Sequence, residues 1–104
     1  MKDALIQKVY SFLSEIHNKF PYMGFRFGKG EVINTFIVEV SPLSDYESNE
    51  EYGLAEISFI DEFTRETGKE IMFVSEKSIN HINGTPIFEI NPNPINPKNQ
   101  TPVI

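Results

Sequence analysis

Apolar residues near the start of the chain recur at the three- and four-residue steps of an α-helix. This spacing places them on one face of a helix of 3.6-residue period. Pro21 follows the pattern, and it disfavours helical backbone in the residue before it. The pattern predicts an amphipathic helix over residues 3–20, with an apolar face made of Leu5, Val9, Phe12, Leu13, Ile16 and Phe20.

A second helical pattern runs from about residue 49 to residue 66. Ser48 and Glu51 have the spacing of a capping box at its start, and Gly68 stands where a helix C-cap is expected. Leu54 and Ile57 lie away from the main apolar face, which indicates that the buried face is rotated toward them. The predicted apolar face consists of Tyr52, Ala55, Phe59, Ile60 and Phe63.

Two segments between these helices predict a β-hairpin. Residues 23–27 are short and aromatic, residues 32–40 alternate between two faces, and Gly28 and Gly30 supply the permissive backbone of a turn between them. One face of the second strand carries Phe36, Val38 and Val40, and the other carries Ile37 and Glu39. The hairpin is therefore expected to bury the first of these faces.

The last third of the chain predicts two further strands, at residues 71–74 and 85–90. Residues 75–82 fit either an extension of the first strand or a helical turn, and the Asn83-Gly84 pair that follows is a strong turn signal. From residue 91 to residue 104 the chain repeats Asn-Pro. This composition predicts an extended or disordered tail.

The elements follow the order αββαββ, which predicts an α+β fold with a four-stranded mixed sheet and two helices on one face. Residues 1–90 would form one domain, with residues 91–104 as its tail. The other face of the sheet would carry apolar side chains that need a cover. The tail or a second copy of the chain would supply it, and a structural homodimer joined through this face is one functional hypothesis. The residues expected there are Arg26, Ile33, Ile37 and either Met72 and Val74 or their neighbours.

Charge is concentrated in one part of the chain. The formal net charge is −6, which argues against a nucleic-acid partner. Residues 45–66 hold eight acidic residues and one arginine, and thus carry −7 by themselves. This concentration is typical either of a solvated helix face that aids solubility or of a surface that docks a basic partner.

The sequence lacks the residues that several classes of protein function require. The chain has no cysteine, which excludes a disulfide framework, a thiolate metal site and a cysteine nucleophile. We find no metal-ligand spacing, no cofactor motif and no catalytic motif. No segment approaches the roughly 20 apolar residues that span a bilayer, and the first residues do not form a signal peptide. We therefore expect a soluble cytoplasmic domain that binds neither a membrane nor a cofactor, and we assign it no catalytic residue.

One acidic residue breaks its local pattern. Glu56 falls near the middle of the apolar face of the second helix, where a carboxylate is costly unless it is paired or protonated. Such groups are over-represented at functional sites. One functional hypothesis is therefore a small-ligand binder or enzyme with a pocket near Glu56. In that pocket Glu56 would be the polar anchor, with Arg26 or His81 nearby.

The leading hypothesis is a non-catalytic protein-binding domain. Its acidic second helix and the loop before it would dock a basic partner, and tyrosine among acids suits such an interface. The size, acidity and order of elements resemble those of small bacterial immunity and antitoxin proteins, which implies an inhibitory role. The residues predicted to bind the partner are Asp45, Tyr46, Glu47, Glu50, Tyr52, Asp61 and Glu62.

Overall fold

A computed structural model describes residues 4–93 of the chain. It confirms the predicted α+β class and the four-stranded mixed sheet. Among these residues no helix is long and apolar enough to cross a membrane. Most of the predicted tail, residues 94–104, lies outside the described part. The elements are α1 (Ala4–Lys19), β1 (Gly24–Lys29), β2 (Thr35–Ser41), α2 (Leu43–Ser48), α3 (Glu50–Thr67), β3 (Glu70–Ser75) and β4 (Phe88–Ile90).

The sheet has the strand order β3-β2-β1-β4. Strand β1 pairs antiparallel with β2 and with β4, whereas β2 and β3 run parallel. The parallel pair requires a crossover connection, and α2 and α3 together provide it. This connection places α3 across the sheet, beside α1.

The core lies between the sheet and the two long helices. Alternate residues of the strands point toward the helices, among them Phe27 and Val38, which are fully buried. The ring of Phe12 on α1 stacks on that of Phe59 on α3, with 4.2 Å between centroids. Large aromatic side chains give a domain of this size much of its apolar burial. Phe63 of α3, also fully buried, completes this layer.

The second predicted helix is confirmed as α3, and a short additional helix, α2, precedes it. The backbone leaves helical geometry at Asn49, whose side chain accepts a hydrogen bond from the Tyr52 N–H at 3.0 Å. Asn49 therefore caps α3, and the predicted capping box at Ser48 is wrong. The C-cap prediction is confirmed, since Gly68 adopts the left-handed conformation with a φ of 74°. Short helix α2 precedes this cap, in the segment that the sequence predicts as a loop.

The predicted hairpin is present, but its turn lies further along the chain. Strand β1 continues through Gly28 and Lys29, and the reversal occurs at residues 30–34. Asn34 adopts a positive φ of 65° there, which asparagine tolerates better than most residues. The shift adds two further pairs, Gly28 with Ile37 and Lys29 with Phe36, at the end of the ladder.

A long segment crosses the sheet face opposite the helices. Strands β3 and β4 lie at opposite edges, so residues 76–87 must cross from one edge to the other. The Ile82 N–H donates to Glu39 on β2 at 3.0 Å, and Asn83 N–H donates to the Lys29 carbonyl at 2.8 Å. Beneath this segment Ile37 and Val74 are buried. Residues 76–87 therefore cover part of this face, Met72 on it stays exposed, and a homodimer joined through it stays a prediction.

Candidate functional site

The acidic residues of α3 fall into two groups by their partners. On the side facing α1, Lys8 Nζ lies 2.9 Å from Glu62 and 2.6 Å from Glu66. Near the start of α3, Glu51 pairs with Lys19 of α1 at 2.7 Å. These carboxylates are partly neutralised within the fold. Glu62, which the sequence placed in the docking set, thus lies on the flank that binds α1.

The other side of α3 faces solvent and carries an unexpected pair of apolar residues. Leu54 is 71% exposed and Ile57 is 67% exposed. Glu50 and Asp61, both exposed, stand one turn away on either side along the helix. Asp61 pairs with Arg65 on the same helix at 2.8 Å, and an exposed pair of this type contributes little. We call residues 50, 54, 57, 61 and 64 the α3 seam.

Gly53 lies beside the seam, one helical turn before Ile57. A Cβ atom placed at this glycine would meet nothing within 4 Å. Glycine in the interior of a helix lowers stability by roughly 1 kcal/mol relative to alanine. No described neighbour crowds the site, so packing within the domain does not require a glycine there.

Helix α2 is fixed to the sheet through Tyr46. Its hydroxyl donates a hydrogen bond to the Phe73 carbonyl at 2.8 Å, and its ring is half-buried. Asp45 accepts from the Asn49 side chain at 3.3 Å. Glu47 is exposed and has no ion pair among the described residues. Of the docking residues predicted on this segment, Glu47 is thus the most available, whereas Asp45 and Tyr46 also hold local structure.

Tyr52 is not available to a partner. It is fully buried between α3 and the rest of the core, so its assignment to the docking set is wrong. The physical reason is its position on the apolar face of the helix, which outweighs its acidic neighbours in sequence. Its hydroxyl makes no hydrogen bond of normal geometry with any described residue.

Glu56 is half-buried one turn after Tyr52 on α3. Removal from water raises the pKa of the Glu56 carboxyl to about 7, and the Tyr52 hydroxyl opposes that rise. Because the two groups do not meet normal hydrogen-bond geometry, we treat their interaction as electrostatic. Burial is the main cause that raises the pKa of the Tyr52 hydroxyl, and the nearby Glu56 carboxylate raises that pKa further. Glu56 does not line the four best-formed clefts among the described residues.

Arg26 and His81 lie on the opposite side of the sheet from α3, so the structure does not bring them to Glu56 as predicted. They meet instead at Glu39. One carboxylate oxygen of Glu39 lies 3.4 Å from the Arg26 guanidinium, and the other lies 3.2 Å from His81 Nδ1. Glu89 approaches Arg26 at 3.8 Å from the other side.

These charged groups line a cleft of about 440 Å³ on the sheet face opposite the helices. Its rim includes His81 of the crossing segment and Asn91 and Pro92 after β4. Gly24 makes this rim possible, because a Cβ there would lie 2.5 Å from Pro92 Cδ. Glu76 also lines the cleft. Within residues 4–93 no three side chains of the metal-binding types are grouped so as to hold a metal ion.

Comparison with protein-family models, with curated proteins and with solved structures finds no match to this chain.

Three residues of the candidate site were missed from the sequence: Gly53, Leu54 and Ile57. The signal for the last two was present, since both fall off the main apolar face of the helix. It was interpreted as a rotated buried face. The alternative interpretation is that Leu54 and Ile57 are surface residues on an acidic helix. The structure favours this interpretation, because both side chains are exposed.

Proposed function

We propose that the domain is a non-catalytic binding protein whose α3 seam docks a basic protein partner. The observation that carries the proposal is the exposure of Leu54 and Ile57 in the middle of an acidic helix. An exposed apolar patch rimmed by charge is the common pattern of a protein-binding surface. A role as inhibitor, of the kind that immunity and antitoxin proteins perform, fits such a surface.

The charge around the seam supports a basic partner. Glu47 and Glu50 have no ion pair among the described residues, and both are exposed at the end of α2 and the start of α3. Asp61 lies at the other end of the apolar pair. A partner with lysine or arginine at matching positions would gain complementary charge and faster association. The apolar pair at the centre would supply the burial that holds the complex.

The proposal is tested by capture with matched variants. The full chain serves as bait in lysate of its native cell, beside Leu54→Ser/Ile57→Ser and a control, Val32→Ser/Ile33→Ser. The control removes two apolar side chains that are also exposed, at the hairpin turn. Captured proteins are identified, and each is then purified and titrated calorimetrically at low and moderate salt.

The expected result is one basic protein that binds wild type and the control alike. Its affinity for the seam variant falls by at least about tenfold, which corresponds to 1.4 kcal/mol, and its affinity for wild type falls with added salt. If the purified candidate binds all three chains equally, the seam is not the docking surface. If wild type captures no protein that the seam variant fails to capture, the proposal is wrong.

A second candidate function is small-ligand binding in the cleft on the open sheet face. The observation that favours it is the convergence of Arg26 and His81 on Glu39 inside a concave site. Saturation-transfer NMR with small amines, amino acids and amides tests it, using wild type, Arg26→Gln and the control Lys69→Gln. Binding that is lost only in Arg26→Gln supports the cleft. The absence of any bound compound, or binding that is equal in all three, counts against it.

A further inference from the structure

We infer that the partner presents a basic amphipathic helix, which lies along the α3 seam and approaches α3 most closely at Gly53. This inference rests on the proposed docking function and names the recognition element. It is drawn from the spacing of the seam, from the unexplained glycine and from the charge at the two ends of the seam.

The seam has the spacing of a coiled-coil face. Positions 50, 54, 57, 61 and 64 alternate steps of four and three residues, so they repeat every seven residues. A face with this period matches a second helix crossing at a small angle. The fourteen steps from Glu50 to Thr64 span about 21 Å. A partner helix of roughly four turns would cover that length.

Gly53 is the independent observation. It lowers the stability of α3 without relieving any contact inside the domain, since the space next to it is open. A residue without a side chain on an exposed helix lets another backbone come close, as small residues do at helix–helix crossings. Because Gly53 adjoins Ile57, that close approach would occur where the seam is apolar.

The pattern of charged and apolar residues along the seam indicates which residue types the partner helix carries. The centre of the seam, at Leu54 and Ile57, calls for apolar residues on the partner. The acidic positions on either side of this centre, Glu50 and Asp61, call for lysine or arginine. A partner helix with an apolar stripe and flanking basic residues meets both requirements.

The same pattern disfavours a second copy of this chain as occupant. In a parallel arrangement of two α3 helices, Glu50 would face Glu50 and Asp61 would face Asp61. In an antiparallel arrangement that pairs Leu54 with Ile57, Glu50 of one chain would lie against Asp61 of the other. Like charges therefore oppose both arrangements. The net charge of −6 adds to this repulsion.

The test uses three synthetic peptides of 21 residues. The first has leucine at the a and d positions of its heptads and lysine at the flanking positions. The second carries a central proline that breaks the helix, and the third has glutamate in place of lysine. Binding to the full chain is measured by fluorescence anisotropy, and the helicity of the peptide by circular dichroism of the mixture.

Four protein variants accompany the wild type. Gly53→Gln fills the space beside the seam, and Gly53→Ala fills it less. Ser11→Ala is the control, because it raises helix propensity on an exposed part of α1 without altering α3. Leu54→Ser/Ile57→Ser removes the apolar centre. A Cβ at position 53 meets nothing within 4 Å in the free domain, so we expect Gly53→Ala and Gly53→Gln to fold.

The expected result separates stability from binding. Gly53→Ala raises the Tm by roughly 4–8 °C, while Gly53→Gln weakens binding of the lysine peptide by about tenfold or more. Ser11→Ala binds as wild type does. The proline and glutamate peptides bind wild type at least about tenfold more weakly than the lysine peptide.

Each contrary result has a distinct meaning. Equal binding of the lysine and proline peptides, equal binding to wild type and Gly53→Gln, or no binding of the lysine peptide to wild type overturns the helix inference. If Leu54→Ser/Ile57→Ser still loses the captured protein partner in those cases, the proposed docking function stands. If that variant retains both peptide and partner, the docking function fails as well.

Discussion

Replacement of Glu56 by glutamine should stabilise the domain at alkaline pH and leave its stability almost unchanged in acid. Burial raises the pKa of Glu56 from 4.5 to about 7 in the folded chain. The folded state therefore holds a proton more tightly than the unfolded state. The favourable contribution of the protonated form is complete below pH 4.5 and is lost as pH rises through 7. Glutamine keeps the size and the hydrogen-bonding capacity of the protonated carboxyl, but it does not ionise.

The size of the effect follows from the difference between the two pKa values. At 1.36 kcal/mol for each pKa unit, the difference sets an upper bound of about 3 kcal/mol for ionised Glu56. Glu56 is only half-buried, so solvent screens a large part of this cost. We expect Glu56→Gln to raise the free energy of unfolding by roughly 1–2 kcal/mol at pH 8.5 and by less than about 0.5 kcal/mol at pH 4.

Urea unfolding followed by circular dichroism at both pH values measures this difference. The control is Glu31→Gln, which removes one negative charge from an exposed position and thus reports the effect of net charge alone. Equal stabilisation by Glu56→Gln at both pH values would refute the burial argument. So would an effect at pH 8.5 no larger than that of Glu31→Gln.

Three further substitutions test the fold itself. Gly68→Ala should lower the free energy of unfolding by roughly 1 kcal/mol, because the C-cap has a φ of 74°; urea unfolding would show no loss if that conformation is absent. Gly28→Ala places a Cβ 2.5 Å from Ile82 Cγ2 and should speed amide hydrogen exchange in residues 76–87 specifically; unchanged exchange there would mean that this segment does not rest on β1. Lys8→Met removes the ion pairs to Glu62 and Glu66, and its cost to stability should be small and shrink further in 1 M salt; a salt-independent loss in thermal unfolding would contradict this.

The helices and the buried strand faces could be predicted from the sequence because local patterns determine them. The apolar steps of α1 extend over almost all of its length and end at a proline. Gly68 is both a frequent C-cap residue and the residue found there. In β2, strict alternation around Val38 identified the face that the helices cover.

The errors arose where contacts distant in sequence decide the structure. Strand β1 extends through Gly28 because the ladder with β2 continues there, which a glycine-rich turn signal does not reveal. The path of residues 76–87 depends on β3 and β4 occupying opposite edges. That strand order could not be obtained from the chain alone, and it also keeps Arg26 and His81 away from Glu56.

The candidate site was predicted in part. The acidic segment was recognised from charge, but its division into a flank bound to α1 and an exposed seam depends on where Lys8 and Lys19 lie. Tyr52 was misassigned because its acidic neighbours were given more weight than its helical position. The sequence indicates that Leu54 lies off the apolar face of the helix, but only the structure shows that its side chain is exposed.

The central claim is tested most directly by NMR mapping on the free and the partner-bound domain. Backbone amide shifts of the full chain would be recorded while the captured basic partner is added. The account predicts that the largest changes fall on residues 47–64, with Gly53 and Ile57 among them, and that the cleft residues near Arg26 change little. Large changes confined to the cleft around Glu39 and His81, with the α3 seam unchanged, would contradict it.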